Sequence, residues 1–163
     1  MIKKVNLTFS KLLFRITNIT AILFFLIIIL GIISRFIIKV PILASIELSR
    51  LLFVWSCFFA AALTYQRKAH IAITIFTDRL SNRVQHILGC FTYSIILLFV
   101  IILLFYSSEV VYLLWHSDLP MLGISQGWFY VPLPIVSVLM LSFTLEFLQE
   151  EFNGLRVKQQ PIN

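Results

Sequence analysis

Four long stretches of this chain carry no formal charge, and short basic or turn-rich segments separate them. That spacing leaves room for little except a set of membrane-crossing helices. Nineteen residues lie between Arg15 and Arg35, twenty-five between Arg83 and Glu109, and twenty-seven between Asp118 and Glu146. A fourth run starts at Glu47-Leu48-Ser49-Arg50 and closes on Arg67-Lys68-Ala69-His70. A helix from Glu47 to Tyr65 would be about 28 Å long at 1.5 Å per residue, close to the roughly 30 Å of a bilayer's hydrocarbon core. Ionisable groups at membrane depth are costly and are usually paired or functional, so a charge at each end of such a helix is informative.

Composition agrees. The chain is 60% hydrophobic and only 12% charged, with a mean hydropathy of +1.00, whereas a soluble domain carries about 25% charged residues. The expectation is an all-α membrane protein, a single four-helix membrane domain over residues 1–163 with spans at about 16–37, 47–66, 84–112 and 128–149. A basic N-terminus before an apolar run also describes a signal peptide. The run is longer than a usual signal core and no small-x-small cleavage site follows it, so it reads as a retained first span. The net charge of +6 sits in short flanks beside apolar runs, which argues for membrane orientation and against nucleic acid. With both termini and the second loop in the cytoplasm, ten Lys and Arg lie inside and three outside. The reverse topology inverts that ratio, so both termini are expected to be cytoplasmic.

The second loop is more than a connector. Ile73, Phe76, Leu80 and Val84 recur at helical spacing, with Asp78, Arg79, Asn82 and Arg83 on other faces. This predicts an amphipathic interfacial helix between spans two and three, lying along the membrane surface or against a partner. Pro132 and Pro134 predict a late or kinked start to span four, and Trp115, Trp128 and Tyr130 suit an aromatic belt at the interface.

The residues that chemistry would need are missing or scattered. His86 and His116 stand at opposite ends of span three, about 45 Å apart on a helix. His70 could approach His86, yet two histidines are too few for a zinc site. Cys57 and Cys90 lie in apolar runs without a redox or zinc spacing. No phosphate loop or metalloprotease motif occurs. Ser56, Ser94, Ser137 and Ser142 have no basic partner in reach and are expected to bond back to their own helices. The acids fall at span ends or in loops, which disfavours the main rival reading, a self-sufficient small carrier or channel, because carriers hold a polar site near the midplane. No catalytic, substrate-binding or metal-ligating residue is therefore assigned.

The order Glu47-Leu48-Ser49-Arg50, Phe53, Trp55, Ala60-Ala61-Ala62, Arg67 and Ala69-His70-Ile71 resembles the small membrane subunit of TRAP (tripartite ATP-independent periplasmic) transporters, the DctQ type. Arg35-Phe36 with Pro41, and Leu122-Gly123-Ile124 with Tyr130 and Leu133-Pro134, support the likeness. The chain departs from the family pattern at Ala60 and Lys68, where glycine is common, and at Ser125, where proline is usual.

The resemblance implies a non-catalytic, multi-pass subunit of the bacterial inner membrane that carries no cofactor. Its partners would be a large TRAP permease subunit, which binds sodium, a periplasmic substrate-binding protein, and membrane lipid. The solute would be a carboxylate or sugar acid. At one rim, Glu47 and Arg50 are expected to form an internal pair or to meet the large subunit, with Ser49 between them as a further rim residue. Trp55 is expected to pack with Ala60, Ala61 and Ala62, within the bundle or against the partner. At the other rim, Arg67 and His70 are expected to meet lipid phosphate or the partner.

Overall fold

The computed structural model describes residues 2–40, 42–67 and 82–157. Four helices account for most of them: α1 (Ile2–Ile33), α2 (Ala44–Gln66), α3 (Asn82–Leu114) and α4 (Pro132–Val157). All four contain a segment long and apolar enough to cross a membrane. The predicted interfacial helix over residues 69–84 falls largely outside the described residues.

Two helix starts stand apart from the edges of the apolar runs. The first helix begins near residue 2, ahead of the uncharged run that starts at residue 16, because the lysines and arginine before that run do nothing to stop a helix: Lys, Arg and Leu are all good helix formers. At about 48 Å, its 32 residues exceed the bilayer core. Its far end loosens into a π-turn, Ser34–Ile38, and stops at Lys39, whose φ of 62° is left-handed. Helix α4 starts at Pro132, where a missing N–H costs nothing because the first helical N–H groups have no partner in the helix anyway. A short 3₁₀ turn, Gln126–Phe129, leads into it.

Helix α1 packs along α2, and α3 along α4. The two pairs join mainly through α2 against α4, with a smaller contact between α1 and α4. The middle of the molecule is thus α2 and α4, with α1 and α3 on the flanks. Leu13 of α1, Phe59, Ala62, Leu63 and Tyr65 of α2, and Val136, Phe143 and Phe147 of α4 form one buried cluster. The flanks stay open: only 6% of the most apolar window is buried in α1 and in α3, against 33% in α4.

Hydroxyls inside the helices are absorbed locally. Ser94, Ser137 and Ser142 donate to the carbonyls of Cys90, Leu133 and Leu139, as expected. The Ser56 hydroxyl lies 2.7 Å from the Leu52 carbonyl and 2.9 Å from the Thr20 hydroxyl, so it also ties α2 to α1.

Candidate functional site

The polar and aromatic features gather at the two ends of the bundle. One end holds the start of α2 and the α3–α4 connection; it is called here the tryptophan rim. The other, the terminal rim, holds the start of α1 and the end of α4.

At the tryptophan rim, residues 117–126 fold back on themselves. Leu119 N–H donates to the Ile124 carbonyl at 2.8 Å, and Gly123 N–H to the Leu119 carbonyl at 2.9 Å. Gly123 takes a φ of 62°, which a glycine adopts without steric cost. Glu47, in the first turn of α2, reaches this turn from across the fold. Its Oε2 accepts the N–H groups of Met121 at 3.1 Å and Leu122 at 2.9 Å. Glu47 therefore spends its charge on the Leu122-Gly123-Ile124 turn. Among the described residues no ion pair joins it to Arg50. Arg50 is exposed and shares with Glu47, Phe58, Leu119 and Tyr130 the wall of a groove of about 380 Å³. Ser49 points elsewhere: it is buried, donates to the Ile46 carbonyl at 2.9 Å, and lines the space between α1 and α2.

Trp55 donates its indole N–H to the Trp128 carbonyl at 2.9 Å, and the two rings stack 6.4 Å apart. Trp115 lies 6.1 Å from Trp128 on its other side. Three tryptophans from α2, the 3₁₀ turn and the end of α3 thus form a row. Gly127 allows this row, because a Cβ there would sit 2.9 Å from Trp115 Cε3. Ser125 caps the 3₁₀ turn by accepting the Gly127 N–H at 3.1 Å. Trp55 does not share a face with the whole alanine trio. Ala62 is fully buried while Ala60 and Ala61 are exposed, since successive helical residues point about 100° apart.

At the terminal rim, Arg67 follows the last turn of α2 with its guanidinium 5.7 Å from the centre of the Phe14 ring. His70, expected beside it, lies outside the described residues. Sequence reasoning missed the contacts that hold this rim together. Asn6 is buried, and its amide donates to Glu146 Oε2 at 2.5 Å and to the Ser142 carbonyl at 3.3 Å. The Tyr65 hydroxyl meets that of Thr144 at 2.8 Å. His86 Nδ1 lies 2.6 Å from Glu151 Oε2. A signal for Asn6 did exist: with Ser10, Leu13, Thr17 and Thr20 it recurs at helical spacing along one side of α1.

Between the rims, the described helices carry no Asp, Glu, Lys or Arg. The arrangement is a polar frame at each end with apolar walls between.

A family model described as "Tripartite ATP-independent periplasmic transporters, DctQ component" matches residues 11–154, from within α1 to within α4. The chain is also similar to the sialic acid TRAP transporter small permease protein SiaQ of Vibrio cholerae, with 30% identity over 119 residues. That match covers 69% of this chain and 65% of the relative, so slightly less than two thirds of the relative's length is spanned.

Proposed function

The chain belongs to the DctQ-component family of tripartite ATP-independent periplasmic transporters, and from that premise we propose that it is the fixed scaffold for the large permease subunit. Its place as a multi-pass inner-membrane transport component follows from the family and the four apolar helices. In the proposed role it has no catalytic activity and moves no solute itself. The large subunit carries the solute with sodium, and a periplasmic binding protein delivers it. Both termini lie in the cytoplasm, in keeping with the basic flanks, which puts the tryptophan rim on the periplasmic side. SiaQ is named for sialic acid, a sugar acid, and a carboxylate or sugar acid is the solute class proposed here.

One observation carries the reading. Only 6% of the most apolar window is fully buried in each of the two flanking helices, while no charged residue sits between the rims of the described helices. Such a molecule offers a partner long greasy faces and offers a hydrophilic solute no path. The test is co-expression with the large permease, affinity capture through this chain, and reconstitution. The large subunit should co-purify, and uptake should require both subunits and the binding protein. Vesicles holding this chain alone and accumulating an organic acid would instead establish the carrier reading.

A further inference from the structure

At the terminal rim, α1 and α2 form a groove of about 250 Å³ that is rich in cations. Lys11, Arg15, Gln66 and Arg67 line it together with Phe14. Three of these are cations, and no carboxylate lines the groove among the described residues. Lys11 and Arg15 are four residues apart on α1, which puts both on one helix face. Like charges so spaced repel each other, and an anion held between them removes that cost. Arg67 approaches from α2, stationed over Phe14. Contact with a ring face leaves the N–H fork at the guanidinium edge available to an acceptor.

Depth decides which anion the groove suits. Arg15 immediately precedes the nineteen uncharged residues of α1, and Arg67 immediately follows the uncharged run of α2. Both helices therefore leave the hydrocarbon at this groove, where lipid phosphates lie. The volume is below that of sites for drug-sized ligands and suits a headgroup without its acyl chains.

We propose that this groove binds the phosphate of an anionic phospholipid, with Arg15 and Arg67 as the forked donors and Lys11 as the compact charge. Guanidinium groups meet phosphate oxygens through paired N–H bonds, whereas an ammonium acts as a point charge. The site is independent of the scaffold role and could exist whether or not that role is correct. Inorganic phosphate offers the same chemistry, and an acidic segment of a partner protein offers a different one; both are separable by experiment.

The test is native mass spectrometry of the full-length chain in detergent, titrated with phosphatidylglycerol or phosphatidylcholine. Phosphatidylglycerol adducts should form at concentrations where phosphatidylcholine gives few. An Arg15→Gln/Arg67→Gln variant should weaken phosphatidylglycerol binding about tenfold or more. An Arg15→Lys/Arg67→Lys variant keeps every charge, and with it the drive for correct insertion. It should still weaken binding several-fold because it lacks the forks, so it stays informative if the glutamine variant misfolds by circular dichroism. Equal occupancy by the two lipids, or unchanged binding in the lysine variant, overturns the proposal. Displacement of phosphatidylglycerol by millimolar inorganic phosphate assigns the groove to a free anion and also overturns it. Full lipid retention by both variants, with loss of the co-purifying large permease, assigns the groove to protein and does the same.

Discussion

Glu47 and Arg50 show how far local spacing goes. Three residues apart on a helix, they read as a pair, and both do sit at the rim. The partners Glu47 takes are backbone N–H groups 74 and 75 residues away, a distance no helical periodicity reports. The separation gives the two residues opposite signatures. Glu47→Gln removes the charge from two backbone bonds and should lower the stability of the isolated chain by about 1–2 kcal/mol, read as a lower Tm in detergent. Arg50→Ala removes an exposed side chain, so the Tm should hold within about 0.5 kcal/mol. Uptake or co-purification of the large subunit should collapse all the same, and normal uptake would show that Arg50 is not an interface residue. Trp55→Phe keeps an aromatic ring but loses the bond to the Trp128 carbonyl. It should cost about 1 kcal/mol and alter the fluorescence of the remaining tryptophans, which lie side by side.

At the level of elements, hydrophobic run length gave the number of helices because each run had to cross a fixed thickness. It did not report the start of α1, because charge marks the membrane's edge and says nothing about where helical hydrogen bonding ends. Pro132 was readable as a starting signal, since its chemistry is local. The joining of the two helix pairs was not: it turns on Ala62, fully buried in the cluster shared with Val136 and Phe143, and the two alanines before it look identical in sequence. Small residues let helices approach closely in lipid. Ala62→Leu should therefore overpack the junction of the two pairs and cost about 1–3 kcal/mol, while Ala61→Leu, on an exposed face, should leave the Tm nearly unchanged.

For the whole molecule, hydropathy alone could not say which helices are central. All four spans are apolar around their circumference, so lipid-facing and protein-facing sides look alike. The packing separates them, leaving α1 and α3 as the flanks that a partner can cover. If the chain braces a large subunit, the partner's side can be located by bulk. Ile22→Trp and Phe25→Trp on α1, and Phe105→Trp and Tyr112→Trp on α3, all alter exposed positions. Capture of the large permease should fall several-fold for substitutions on the covered flank and stay normal on the lipid-facing one. Equal indifference at all four positions would count against both flanks as the docking side.

Helix α4 touches each of the other three helices, yet it is the last of the four to leave the ribosome. The earlier helices must therefore enter the bilayer without their common neighbour. During that interval Tyr65 lacks Thr144 and Asn6 lacks Glu146. A nascent chain halted before Pro132 would hold α1 and α2 paired, α3 without the helix it packs along, and Tyr65 and Asn6 still short of their α4 contacts. The three helices made first must therefore wait for α4, the 26-residue helix that joins the two pairs.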